Sequence, residues 1–80
     1  MQQERNVVLY TQPGWLFCHR TEKFLRENGI DFTTRDVIED EAALAELERM
    51  GAYGTPVTII DSDEVVFGFD QKKLKQLLNL

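Results

Sequence analysis

Residues 11 to 20 read TQPGWLFCHR and join two segments that are predicted to be regular. The apolar run from Val7 to Tyr10 comes before them and is suited to a strand buried on both faces. A Pro-Gly pair then breaks regular structure, and a helix is predicted from Leu16 to Asn28. Cys18 therefore falls in the first turn of a helix, where backbone N–H groups lack partners and the helix dipole is positive. Both effects favour a thiolate, so this layout is typical of a reactive thiol.

The composition fits one small globular domain, which is expected to span residues 1–80. Hydrophobic residues make up 42% of the chain and charged residues 29%, as in ordinary soluble proteins. No apolar run approaches the roughly 20 residues of a membrane span, and Met1 to Arg5 lack the apolar core of a signal peptide. Because the single cysteine cannot form an internal disulfide, we expect a cytoplasmic protein.

The net charge of −5 argues against general nucleic-acid binding, which depends on basic surface. Acidic residues concentrate between Asp36 and Glu48, whereas basic residues gather between Arg20 and Arg26 and between Lys72 and Lys75. The ordinary interpretation is that these are solvated helix faces. The alternative is a local positive field near Cys18 that attracts an anionic thiol substrate.

Hydrophobic periodicity predicts alternating strands and helices after the first helix. Asp40 and Asp70 are predicted to cap the second and third helices. Only Asp61 to Glu64 lies between the last two strands, so these strands should form an antiparallel hairpin. The further elements are a strand over Ile30 to Arg35, a helix over Glu41 to Met50, strands over Val57 to Ile60 and Val65 to Phe67, and a helix over Gln71 to Leu78.

The order of elements, β-α-β-α-β-β-α, resembles the thioredoxin-like α/β fold. The first two strands should pair in parallel through a right-handed crossover. The expected result is a four-stranded mixed sheet with helices on both faces. The residues expected on the inner faces of the three helices are Phe17, Thr21, Phe24, Leu25 and Asn28, then Ala42, Leu44, Ala45, Leu47 and Met50, then Leu74, Leu77 and Leu78.

Five short motifs follow one another at characteristic spacing: Tyr10-Thr11, Gly14, Phe17-Cys18-His19-Arg20, Thr55-Pro56 and Gly68-Phe69-Asp70. Together they resemble a glutaredoxin, in the small bacterial form that includes glutaredoxin-like electron donors of ribonucleotide reductase. The resemblance spans nearly the whole chain. It implies a thiol–disulfide oxidoreductase that reduces disulfides and protein–glutathione mixed disulfides, serves electron transport and cell redox homeostasis, and draws electrons from glutathione or a thioredoxin-type reductase.

The chain departs from this family at the active site, which in the family reads Cys-x-x-Cys and here reads Trp15-Leu16-Phe17-Cys18. In the family the first cysteine is the accessible nucleophile, and the second is more covered and resolves the mixed disulfide. Trp15 therefore stands at the nucleophilic position, and activity is expected to be low or absent. We interpret Cys18 as a mostly buried structural residue rather than a catalytic one. Trp15 itself is a deliberate or recent replacement, a natural change in a non-catalytic relative, or part of a site that binds through its indole face.

The resemblance also implies a groove for glutathione or substrate. Pro56 is expected to be cis, and the corner at Asp70 is expected to bind the γ-glutamyl carboxylate at a helix start. Gln12 is neutral where glutathione binders often carry a basic residue, and Phe69 resembles the reductase-donor branch. We further expect the Trp15 indole to lie on the groove wall. The implied binding residues are Gln12, Phe17, Thr55, Pro56, Gly68, Phe69 and Asp70, with Tyr53 also at the groove.

We expect no resident cofactor, with glutathione as a co-substrate, and no metal, because His19 is the only histidine. The expected partners are protein disulfides or glutathione mixed disulfides and a reductase or ribonucleotide reductase, with no nucleic acid and no membrane, and the chain is expected to be a monomer. One alternative function is a non-catalytic module of the thioredoxin fold that binds glutathione or a peptide. Another is an iron–sulfur carrier, which is disfavoured because it needs the exposed cysteine.

Overall fold

The computed structural model describes residues 5–80, which form one four-stranded sheet and three helices. The expected domain and the expected absence of a signal peptide also concern residues 1–4, which lie outside the described residues. Within residues 5–80, no helix is long and apolar enough to cross a membrane. The elements are β1 (Val7–Thr11), α1 (Leu16–Glu27), β2 (Thr33–Asp36), α2 (Glu41–Arg49), β3 (Val57–Ile60), β4 (Glu64–Phe67) and α3 (Gln71–Leu78).

The strands lie in the order β2-β1-β3-β4, which confirms the predicted thioredoxin-like arrangement. β1 pairs with β2 in parallel, so that Leu9 lies opposite Thr34. β1 and β3 pair antiparallel, with Leu9 opposite Thr58, and β3 and β4 form the predicted hairpin. Parallel neighbours need a crossover connection, and α1 provides it.

The second strand begins at Thr33, later than the Ile30 predicted from the alternating pattern. Ile30 cannot pair in the sheet because its backbone N–H donates to the carbonyl of Leu25, 2.9 Å away, and closes the end of α1. The side chains of Ile30 and Phe32 pack against the core from this connection. The alternating apolar residues Ile30 and Phe32 therefore indicate packing against the core by the connection that precedes β2, and they do not belong to the strand.

Two separate cores lie on the two faces of the sheet. Since side chains alternate along a strand, Val7 and Leu9 face one side and Tyr10 the other. The core beneath α1 and α3 contains Val7, Phe24, Leu25, Ile60, Val66, Leu74 and Leu78. The core beneath α2 contains Tyr10, Val37, Ala43, Leu47, Ala52 and Val57.

The predicted inner faces of α1 and α2 are confirmed in part, since Thr21, Phe24 and Leu25 of α1 and Leu47 of α2 are buried. In α1 the buried stripe starts at Cys18 and continues through Thr21 and Leu25, while Phe17 is 52% exposed and Asn28 is also exposed. In α2 the buried residues are Ala43 and Leu47, and the predicted Ala42, Leu44 and Ala45 are exposed. Both observed stripes follow the three-to-four residue spacing of an amphipathic helix. The predicted stripe of α3 is confirmed, with Leu74 and Leu78 buried and Leu77 partly buried.

Candidate functional site

The site is built around the start of α1, where Trp15 occupies the N-cap position. Gly14, with φ of 82°, allows the chain to turn sharply after β1. The Trp15 N–H donates to the Gln12 carbonyl at 3.3 Å, and the Trp15 carbonyl accepts from the His19 N–H at 3.1 Å. The indole makes no capping hydrogen bond and is 53% exposed. Trp15 therefore stands at an accessible lip, where the resemblance places the family's nucleophile.

Cys18 lies on the inner side of α1, only 2% exposed. Its expected burial is confirmed, and it is a free cysteine. Thiol–disulfide exchange requires that a thiolate reach the target sulfur, and a covered Sγ cannot do so in the folded chain. The accessible residue at the helix start thus lacks a thiol, and the thiol of Cys18 lacks access.

A cavity of about 530 Å³ lies beside the start of α1. Trp15 lines it together with Gln12, Cys18, His19 and Glu22. The predicted position of the indole on a wall with Tyr53, Pro56 and Phe69 stays a prediction, since Tyr53 and Pro56 line a different cavity.

The predicted cis peptide bond between Thr55 and Pro56 is confirmed. The Pro56 carbonyl accepts a hydrogen bond of 2.8 Å from the N–H of Gly68, which ties the start of β3 to the end of β4. Thr55, Pro56 and Gly68 line a cavity of about 320 Å³ that also includes Tyr53 and Phe67. Three of the predicted binding residues therefore meet in one groove, which we call the cis-proline groove.

The other predicted binding residues lie elsewhere. Phe69 packs edge-on against Phe24, with ring centroids 6.0 Å apart, and so belongs to the core beneath α1 and α3. Phe17 projects into solvent, and Gln12 lines the cavity beside Trp15. The Asp70 carboxylate caps α3 by accepting from the Lys73 N–H at 3.1 Å. A role of these residues in glutathione binding stays a prediction.

A polar cluster that the sequence did not reveal joins the sheet to α2. The Tyr10 hydroxyl donates to Glu46 Oε1 at 2.7 Å. The Arg35 guanidinium contacts both oxygens of Glu46, at 3.3 and 3.1 Å, and donates to Asp40 Oδ2 at 3.1 Å. Tyr10 and Glu46 lie far apart in the sequence, and only the folded structure brings their side chains together.

The Arg35 guanidinium partly compensates the charges of the two carboxylates in this cluster. The hydrogen bond from Tyr10, followed by those from Arg35, lowers the pKa of Glu46. The Ala43 N–H, followed by Arg35, lowers the pKa of Asp40. Burial, followed by the hydrogen bond to Glu46, raises the pKa of Tyr10. The cluster thus holds two ionised carboxylates in place and anchors the start of α2.

The helix start, the buried thiol and the cis-proline groove define a protein of the thioredoxin-like class. The family model described as Glutaredoxin matches residues 7–65, and the chain belongs to the glutaredoxin family. This confirms the family predicted from the sequence motifs.

Known relatives resemble the chain over most of its length. The thioredoxin-like protein BC3987 is 38% identical, with a TM-score of 0.83 over 90% of this chain and 99% of that one. The glutaredoxin-like protein NrdH-redoxin from Escherichia coli is 26% identical, with a TM-score of 0.83 over 90% of this chain and 93% of that one. The Gene 56 protein of Mycobacterium phage D29 is 30% identical over 74 residues, which cover 91% of this chain and 82% of the relative.

Proposed function

We propose that the chain is a glutaredoxin-type thiol–disulfide oxidoreductase scaffold whose nucleophilic position is occupied by Trp15, so that turnover is low or absent. One observation carries the proposal. The only thiol, Cys18, is 2% exposed, while the accessible position at the start of α1 holds an indole. Thr55, Pro56 and Gly68, which the resemblance assigns to the family's groove, line one cavity, and this supports the retained scaffold.

The chemistry of disulfide exchange explains the expected loss. A thiolate attacks one sulfur of a disulfide in line, a mixed disulfide forms, and the other sulfur leaves as a thiolate. A second thiol then attacks the mixed disulfide and releases the reduced substrate. Trp15 offers no nucleophile for the first step. Cys18 alone could be resolved only by an external thiol such as glutathione, and burial blocks its attack in any case.

The proposed setting is the electron transport of cytoplasmic redox homeostasis, with the chain acting as a monomer and without a resident cofactor. Its proposed substrates are protein disulfides or glutathione mixed disulfides. Neutral Gln12 lacks the charge that would attract a glutathione carboxylate, which supports a reductase as electron donor over glutathione as co-substrate. The similarity to NrdH-redoxin, which is described as having a thioredoxin-like activity profile, supports the same choice.

A second candidate is a non-catalytic module that binds a peptide or glutathione. The observation that favours it is the cis-proline groove of about 320 Å³, which Thr55, Pro56 and Gly68 line. This candidate needs no accessible thiol.

Restoring the sulfur is the decisive test. Trp15→Cys should raise reduction of a small mixed disulfide by at least about tenfold, assayed with a thioredoxin-type reductase and separately with glutathione as electron donor, because it places a thiol at the open helix start. Trp15→Ser is the matched control, since it opens the site equally but adds no nucleophile. Adding Cys18→Ser to Trp15→Cys should retain turnover of the glutathione mixed disulfide and lose the reduction of protein disulfides.

Two outcomes would overturn the first candidate. Rapid turnover by the unchanged chain would show that Cys18 reacts despite its burial. Failure of a folded Trp15→Cys variant to gain activity would show that the site no longer supports exchange, and glutathione binding without turnover would then favour the second candidate. Glutathione binding is measured by NMR, and we expect a Kd on the order of millimolar or weaker.

A further inference from the structure

The sheet has an open edge along β4. Among residues 5–80, β3 is the only strand that pairs with β4, so one side of the β4 backbone has no strand beside it. The other edge strand, β2, is polar, and its Arg35 and Asp36 side chains bond to α2 and to the β2–α2 connection. β4 reads EVVF, with one charge, no proline and no bulge. Proteins usually protect an edge strand by such devices, so β4 is open to pairing with another strand.

The hydrogen bonds at the end of β4 show which of its backbone groups face outward. The Gly68 N–H donates to the Pro56 carbonyl at 2.8 Å, so the backbone of Gly68 faces β3. Successive residues of an antiparallel strand direct their N–H and C=O groups to opposite sides. Val66 therefore also bonds to β3, whereas Val65 and Phe67 direct their N–H and C=O groups to the open edge.

The side chains beside these outward groups are apolar and lie on one face of the sheet. Val66 is buried beneath α1 and α3, so the alternation along the strand places Val65 and Phe67 on the α2 side. Val65 packs partly against the core beneath α2, and Phe67 is 55% exposed. A strand paired with β4 would therefore gain cross-strand contacts with valine and phenylalanine as well as backbone hydrogen bonds.

The turn before β4 adds negative charge at one end of the edge. Among residues 5–80, Asp63 and Glu64 form no ion pair. A segment antiparallel to β4 passes Phe67 first and Glu64 later, so basic residues toward its C-terminal end would meet these carboxylates. A second copy of the chain, paired about Val66, would place glycine and phenylalanine opposite Glu64 and Asp63 instead. The charge therefore favours a basic segment of another protein.

We propose that β4 pairs with an extended, antiparallel segment of a partner protein through the outward backbone groups of Val65 and Phe67. The segment carries two apolar residues two positions apart, followed by lysine or arginine. The site shares Phe67 with the cis-proline groove, but it runs along the side of β4 that faces away from β3, whereas Thr55 and Pro56 lead into β3. The inference goes beyond the proposed redox function and needs no thiol, so pairing and turnover fail independently.

The probe is an acetylated and amidated nonapeptide with two valines two positions apart, followed by arginine and lysine, in a background of threonine and serine. Titrated into the full ¹⁵N-labelled chain, it should bind saturably with a Kd on the order of 1 mM, since the edge is short. Hydrogen exchange gives the specific readout. At about twice the Kd, the amides of Val65 and Phe67 should exchange about threefold more slowly, whereas the amide of Val66, already bonded to β3, should change little.

Methylated peptides test the backbone pairing. An N-methyl group on either valine removes a donor that would bond to β4, and it should weaken binding at least about fivefold. The same group on the threonine between the valines is the matched control, because the N–H of that residue points away from β4. It should change the Kd by less than about twofold. Glutamate in place of arginine and lysine should weaken binding at least about threefold.

Variants of the chain test the edge itself. Val65→Pro removes an outward N–H without removing a bond to β3, and it should weaken binding at least about fivefold. Phe67→Lys provides a second variant should Val65→Pro fail to fold, and it should weaken binding at least about threefold. Thr33→Lys is its matched control, because it adds a lysine at an exposed position of β2, the opposite edge of the sheet. It should change the Kd by less than about twofold.

Four results would overturn the proposal. Equal weakening by Thr33→Lys and Phe67→Lys would show attraction to the net charge alone. Equal losses from methylation of a valine and of the central threonine would show binding without backbone pairing. Shifts confined to Gly54 and Thr55 would place the peptide in the cis-proline groove. Slower exchange at Val65 and Phe67 as the free chain is concentrated, with matching sedimentation, would show that a second copy of the chain occupies the edge.

Discussion

The first two helices begin in opposite ways. The carboxylate of Asp40 closes the start of α2 by accepting from the Ala43 N–H at 3.1 Å, and Glu41 adds a negative charge to the first turn. The start of α1 has no side-chain cap and no acidic residue in its first turn. Its first residues, from Trp15 to Phe17, are exposed large hydrophobics instead.

This difference separates a helix start that stabilises the fold from one that is available to a ligand. Replacing a good N-cap typically costs about 1 kcal/mol, so the open start of α1 carries a stability penalty. An aspartate there would satisfy the free N–H groups and would repel a thiolate. The open start is what disulfide chemistry requires, and it persists around Trp15 although the accessible sulfur is absent.

The largest expected effect concerns the thiol beneath the open helix start. Disulfide-reagent labelling of Cys18 should be at least roughly a hundredfold slower in the folded chain than in denaturant, because exposing its Sγ requires local unfolding that costs a few kcal/mol. Trp15→Ala is the control for shielding by the indole, and it should accelerate labelling only slightly. Equal rates in the folded and unfolded chain would mean that the start of α1 opens freely.

Removing an N-cap aspartate tests how much a capped helix start contributes to the stability of the fold. Asp70→Ala should lower the free energy of unfolding by about 1 kcal/mol, through the loss of its bond to the Lys73 N–H. Asp40→Ala should lower it further, because Asp40 also binds Arg35. Urea unfolding measures both. Asp40→Asn retains a capping oxygen and should fall between Asp40→Ala and the unchanged chain.

Adding a cap to α1 should reduce the contrast between the two helix starts. Trp15→Asp should be more stable than Trp15→Ala by about 1 kcal/mol, because the carboxylate would accept from a free N–H of the first turn. Comparison with alanine removes the effect of losing the indole. Equal urea midpoints for the two variants would show that the first-turn N–H groups of α1 are already satisfied.

The sequence predicted part of the difference between the starts of α1 and α2. The caps at Asp40 and Asp70 follow from residue type at a helix start, and the cis bond at Pro56 follows from the family motif. Local rules suffice where the interaction spans only a few residues. The fold was likewise predictable because the order of strands and helices restricts the topology.

Features that depend on distant residues were not predictable. The Tyr10–Glu46 hydrogen bond joins residues that lie 36 positions apart, and no local pattern encodes it. The inner face of α1 was predicted correctly at Thr21, Phe24 and Leu25 and wrongly only at its two ends, Phe17 and Asn28, which are exposed.

The smallest expected effect is the acid dependence of the α2 start. The pKa values of Asp40 and Glu46 lie below their ordinary values of 3.8 and 4.5 in the folded chain. Such carboxylates contribute stability above their unfolded pKa values, and this contribution is lost as the pH falls through the lower folded values. The free energy of unfolding should therefore decline progressively below about pH 4.5.

Variants test which side chains cause this decline in the free energy of unfolding. Tyr10→Phe with Arg35→Met removes the two principal causes of the low pKa of Glu46, so the stability difference between pH 7 and pH 3 should shrink. It should not vanish, because the Ala43 N–H still lowers the pKa of Asp40. Trp15→Ala should leave the acid dependence unchanged, since the first turn of α1 contains no carboxylate. If the stability difference between pH 7 and pH 3 shrank equally in both variants, the acid dependence would come from the rest of the chain. The starts of α1 and α2 would then not differ in their electrostatic contribution to stability.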